Sequence, residues 1–124
     1  MSKHETWRTR AYWENIGGLL IEEFIAVKGD NNQGKRLIDG VIVLNEKNEI
    51  HNQKTYDLEN KDIIIIQTKS NRLSMSLLGQ AYFSKLLVEK FNPKSIKTVA
   101  ICGKNDKILL EFAKNHNIEV VVIE

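Results

Sequence analysis

The chain has 124 residues, 42% of them hydrophobic and 27% charged, with a formal net charge of +2. That length suits one domain spanning residues 1–124 with a real core, and the composition excludes a disordered or fibrous chain. The small positive balance is too weak to mark a nucleic-acid binder by charge alone; a single cysteine excludes an intrachain disulfide or a thiolate metal cluster; and no apolar run reaches the length of a membrane span.

The polar start lacks the apolar core of a signal peptide, so a cytoplasmic protein is expected. In residues 7–29, "WRTRAYWENIGGLLIEEFIAVKG", Trp13, Ile16, Leu20, Phe24 and Val27 recur at spacings of three and four, which predicts one amphipathic helix ending near Gly29. Gly17 and Gly18 would lie inside it at about 1 kcal/mol each relative to Ala, a cost that close approach of a strand or partner helix would explain. "GDNNQG" reads as a loop, and "RLIDGVIVLN" as a strand apolar on both faces, interrupted by Asp39. After a turn at "NEKNE", a weaker strand near "IHNQKTYDL" and a strong one over 62–68 complete a three-strand meander.

Residues 72–91 predict a second helix. Leu73, Leu77, Ala81, Leu86 or Leu87 and Phe91 face inward, Tyr82 and Phe83 are core candidates, Ser74 or Ser76 caps the start, and Pro93 stops it. A strand "SIKTVAIC", a helix within "KNDKILLEFAKNHN" and a closing strand "IEVVVIE" follow, a rhythm that implies parallel pairing through crossover helices. Cys102, inside the first of these, reads as a buried, inert thiol. His4, His51 and His116 are scattered without metal-ligand spacing and read as surface residues.

The chemistry concentrates on two strands. Side chains alternate along a strand, so Gln67 and Lys69 share a face about 7 Å apart. An ionised Asp39 inside an apolar strand needs a partner. Two readings stay open: a salt bridge to Lys69, or a divalent cation taking a carboxylate oxygen from Asp39 and a carbonyl oxygen from Gln67, with Lys69 beside a reacting phosphate. Lys35 and Arg36, just before the Asp39 strand, are placed to meet a phosphate backbone, or are ordinary loop charges.

"LIDGVIVLN" followed by "IIIIQTKSN" resembles the PD-(D/E)XK nuclease superfamily, and the Asp…Gln-X-Lys pattern is similar to the variant of Mrr-type restriction endonucleases. The resemblance implies an α/β fold with a restriction-endonuclease-like core, αβββαβ followed by αβ, in which a mixed sheet is flanked by helices. It further implies an endonuclease that hydrolyses DNA phosphodiesters with Mg²⁺ or Mn²⁺, with Asp39, Gln67 and Lys69 as site residues. Related resolvases add a glutamate from the first helix, which points to Glu14, with Glu23 in reserve and Glu22 solvated on the far side. Gln80 matches in placement a helix glutamine that lies near the site in several branches of the superfamily. One catalytic domain cuts one strand, so cutting both favours a homodimer. No accessory DNA-reading domain is expected within these 124 residues, so specificity is expected to come from substrate structure, dimer geometry or a separate specificity or effector protein. The alternative is a weak or inactive nuclease-fold module that binds nucleic acid or protein, Gln67 marking a decayed metal site.

Overall fold

Gly17 and Gly18 end the first helix instead of lying inside it. In the computed structural model, which describes residues 3–124 with side chains from residue 6 onward, α1 runs Lys3–Ile16. Both glycines have positive φ (81° and 89°), the left-handed conformation that closes a helix readily when no Cβ is present. Gly17 N–H donates to Trp13 O at 2.8 Å, and the Trp13 indole N–H donates to Gly18 O at 2.8 Å. A Cβ on Gly18 would lie 2.7 Å from Val43 O, so the chain passes there backbone against backbone.

The predicted helix over 7–29 is therefore corrected: its second half, Leu19–Val27, is strand β1. The helical spacing arose because β1 changes face midway. Leu19 and Ile21 pack on one side of the sheet and Leu20 on the other, but Glu23 takes a φ of 51°, and Phe24 then joins the side of Leu19 and Ile21. Strict alternation breaks where helical periodicity would be counted.

The remaining elements are β2 (Arg36–Val43), β3 (Glu49–Asn52), β4 (Asp62–Thr68), α2 (Met75–Glu89), β5 (Ser95–Cys102), α3 (Lys107–Asn115) and β6 (Ile118–Val122). They form an α/β fold around one six-stranded mixed sheet in the order β3-β1-β2-β4-β5-β6. β2 pairs antiparallel with both β1 and β4, while β4–β5, β5–β6 and β1–β3 are parallel. The expected meander is corrected too. β3 has only four residues and pairs with β1 at the outer edge, so β2 and β4 are direct neighbours. The segment between β3 and β4 folds back under the sheet, burying Leu58 completely and donating Gln53 N–H to Glu22 O at 2.9 Å.

Apolar residues fill both sides of the sheet. On one, Tyr12 of α1 packs with Leu20, Ile42, Ile64, Ile66, Val99 and Ile101; on the other, Val88 of α2 joins Ile21, Phe24, Val41 and Ile65. Leu77 and Ala81 of α2 and Ala113 of α3 close the β5–β6 end on that second side. Ser74 caps α2 as expected, its hydroxyl accepting Leu77 N–H at 3.1 Å. The inward residues of α2 are Leu77, Ala81, Ser84 and Val88, whereas Tyr82 and Phe83, expected in the core, face outward with Leu86. Cys102 is buried, and that burial pushes its thiol above the ordinary range, away from reactivity. Among the described residues, no helix is long and apolar enough to cross a membrane.

Candidate active site

The β2–β4 ladder runs from Val43 opposite Ile63 to Gly40 opposite Ile66, and then the strands part. Asp39 stands at the fork, where its Oδ2 accepts the Thr68 N–H at 2.9 Å. A carboxylate is tolerated at the end of this apolar strand because it takes over a backbone donor that the ladder no longer serves. Gly40, next along, lets α1 ride close behind: a Cβ there would lie 3.0 Å from Thr9 Cγ2.

On β4 the buried run Ile63–Ile66 leads to Gln67, whose Nε2 donates to Ser84 Oγ of α2 at 2.8 Å. The amide N–H is committed there, so its carbonyl oxygen is the end that can serve as a ligand. Beyond β4, Lys69 N–H donates to Ile101 O at 3.0 Å and Gly103 N–H to Asn71 O at 2.9 Å, which pins residues 69–71 along β5. Gly103 permits this approach, since a Cβ at that position would overlap the Ser70 carbonyl.

A cavity of about 880 Å³ opens between the fork and α2. Its polar lining comprises Asp39, Gln67, Lys69, Gln80, Ser84 and two further cations, Arg36 and Lys90; Leu37, Phe83, Leu86 and Leu87 supply an apolar wall. Among the described residues, three cationic side chains face the cavity against one carboxylate, a balance that favours anionic ligands. Among the described residues no salt bridge joins Lys69 to Asp39, so the simple buried bridge does not form.

The structure thus brings together Asp39, Gln67, Lys69, Gln80 and Arg36. Lys35 does not line the cavity. Neither does Glu14, which is exposed in the last turn of α1. The helix runs the wrong way for it. Thr9 lies over Gly40, and Tyr12 lies beside Lys97, which pairs with Ile64, so α1 travels from the Asp39 end of the sheet toward the other end. Five residues past Thr9 is about 7 Å further off at 1.5 Å per residue.

Glu22 and Glu23 also depart from expectation. Glu22, expected to be solvated, is 2% exposed: Arg10 of α1 clasps it with Nε to Oε2 at 2.7 Å and Nη2 to Oε1 at 2.9 Å. Glu23 lies beside Asp39 in register, between Glu22–Gly40 and Phe24–Ile38, but its carboxylate turns outward to accept the Gln53 amide at 2.6 Å. That hydrogen bond holds its carboxyl below the usual value of 4.5. Of the histidines, His116 is exposed and His51 half-exposed beside Glu49, while the His4 side chain lies outside the described residues.

Sequence reading missed Ser84 and Lys90. Ser84 carried a signal, being a hydroxyl in the inward stripe Leu77, Ala81, Val88 and four residues from Gln80, hence on the same helix face. Lys90 carried none.

Among the described residues, no group of three or more His, Cys, Asp or Glu side chains is placed to hold a metal. One carboxylate and one amide carbonyl are too few for a resident ion. They do suit Mg²⁺ or Mn²⁺ held jointly with a substrate phosphate, since Mg²⁺ commonly takes one or two carboxylates, keeps several waters and draws its other ligands from phosphates. No family model, no curated protein and no solved structure matches the chain.

Proposed function

We propose that this chain is a metal-dependent endonuclease acting on DNA phosphodiesters, with a restriction-endonuclease-like core. The observation that carries the reading is the convergence of Asp39 from β2, Gln67 from β4 and Lys69 from just beyond β4 on one open and predominantly cationic cavity. The element order supports it: α1, then β1, β2 and β4 in antiparallel sequence, then α2 and a parallel β5, with β3 added at the edge.

Asp39 and Gln67 would hold Mg²⁺ or Mn²⁺, which when bound supplies Lewis-acid polarisation of the scissile phosphate and a more acidic water. The chain's own residues do the rest. Arg36 and Lys90 at the rim bind the flanking phosphates and fix the strand across the cavity. The Lys69 ammonium orients the attacking water and stabilises the charge that grows on the phosphorane. Ser84 holds the Gln67 amide in one orientation, so the carbonyl needs no reorganisation when the substrate arrives.

Plasmid nicking in Mg²⁺ or Mn²⁺ tests this. Asp39→Asn, whose side chain can still accept from Thr68, is expected to stay folded and lose about 100-fold in rate or more, and Lys69→Met a comparable factor. Metal-dependent nicking that both variants retain would assign the activity elsewhere. A second reading, the same fold binding nucleic acid without cutting it, is favoured by the single carboxylate that the described residues bring to the cavity. It predicts DNA binding with no Mn²⁺ uptake at millimolar concentration and no cleavage.

A further inference from the structure

The helix α2 is apolar on two opposite faces. Leu77, Ala81 and Val88 enter the core, while Met75, Gly79, Tyr82, Phe83 and Leu86 lie on the outward side, 100° per residue placing them opposite that stripe. A helix apolar all round belongs in an interior. Ile108 and Phe112 of α3 extend the patch, and a groove of about 370 Å³ between the two helices has Gly79 and Phe112 in its walls. Met75 is 76% exposed, Ile108 65%, Phe83 64% and Phe112 51%.

We infer that this face is the two-fold interface of a homodimer, with α2 of one copy crossing α2 of the other at Gly79. Three observations select a second copy as the occupant. The first is area. Large side chains present on the order of 200 Å² each, so this patch offers several hundred Å² of the roughly 800 Å² per partner that a standard interface buries. The second is charge. The centre of the face carries none; at its edges Lys85 alternates with Glu89 on α2 and Lys107 with Glu111 on α3, while Lys90 stands at the cavity end beyond Leu86, so the central surface meets itself without repulsion. The third is Gly79, where a Cβ would meet nothing within 4 Å. Nothing inside the chain requires a glycine there, and glycine weakens a helix interior relative to alanine; a second helix backbone passing close supplies the reason.

The interface adjoins the candidate active site. Phe83 and Leu86 belong both to the patch and to the cavity wall, and Gln80 and Leu87 line the cavity from the same helix. A second copy seated on α2 therefore extends the outer wall of each cavity and sets the two cavities on either side of one joint. Assembly is measured without metal or nucleic acid, so its failure and that of the phosphodiester reading are separable.

Sedimentation equilibrium of the full chain is expected to give twice the mass of one chain at about 10 µM, and Met75→Glu to raise the dissociation constant about 100-fold. An acidic residue in the first turn of a helix is compatible with folding, so that loss reports the interface. Because Cys102 is the sole native cysteine and is buried, Gly79→Cys is expected to form a disulfide-linked dimer on mild oxidation. A chain that stays monomeric at about 100 µM means that the face serves a different partner and overturns the proposal. So does a dimer indifferent to Met75→Glu, or one that Gly79→Cys fails to link.

Discussion

Glu22 and Asp39 are carboxylates one register step apart on adjacent strands, yet they do opposite things. Glu22 faces α1, where Arg10 takes both of its oxygens in a bidentate pair and only 2% of the residue meets solvent. Asp39 stands where β2 and β4 separate, gives Oδ2 to a backbone N–H, and borders a cavity large enough for a nucleotide-sized ligand. A buried acid becomes structural when a single cation closes over it. At a fork in the sheet, Asp39 instead borders an open space into which Arg36, Lys69 and Lys90 also face.

The largest effect that follows is on stability at the closed site. Arg10→Ala leaves Glu22 buried without its cation and is expected to cost about 2–3 kcal/mol in urea unfolding, somewhat under the full value for a buried pair because Arg10 is itself half exposed. A loss below about 0.5 kcal/mol would mean that Glu22 is satisfied without α1. Gly103→Ala acts at the open site. Its Cβ would displace the Ser70 carbonyl, and with it the segment that carries Lys69, at an expected cost of about 1–3 kcal/mol and with nicking reduced more than stability alone explains.

Smaller shifts separate the two neighbouring glutamates of β1. The folded pKa of Glu23 is depressed by the Gln53 amide, so its contribution to stability is present above its ordinary value of 4.5 and is lost as pH falls through the folded value. Glu23→Gln should therefore be slightly less stable than the parent at neutral pH, converge with it in acid, and so show a shallower loss of stability below about pH 4.5 in acid titrations. Smallest of all is Glu14→Ala, expected to leave nicking unchanged and stability within about 0.5 kcal/mol. A large loss of nicking in that variant would place the last turn of α1 at the reaction.

What the sequence made legible divides along the same line. Asp39, Gln67 and Lys69 could be read because each breaks an apolar strand, and a strand's two-residue period says which side chains travel together. The second half of the chain was legible in the same way, every strand and helix after Asp62 lying within a few residues of its expected bounds. The first half was not. β1 reverses its face at Glu23, a left-handed residue with no composition signal, and the two glycines that stop α1 could be read equally as close-packing positions inside a longer helix. That error put Glu22 and Glu23 on the first helix and hid the burial of Glu22, which depends on an arginine from an element that one-dimensional periodicity had fused to its own. The outward apolar face of α2 was likewise invisible, because Tyr82 and Phe83 have the composition of core residues whichever way they point.

Mn²⁺ titration followed by electron paramagnetic resonance, with and without a duplex whose phosphodiesters resist hydrolysis, tests the central claim most directly. One carboxylate and one amide predict weak binding by the protein alone, clear tightening when the duplex is present, and loss of that tightening in Asp39→Asn but not in Glu14→Gln. Equal Mn²⁺ binding by the parent and Asp39→Asn, with duplex present, would contradict the account.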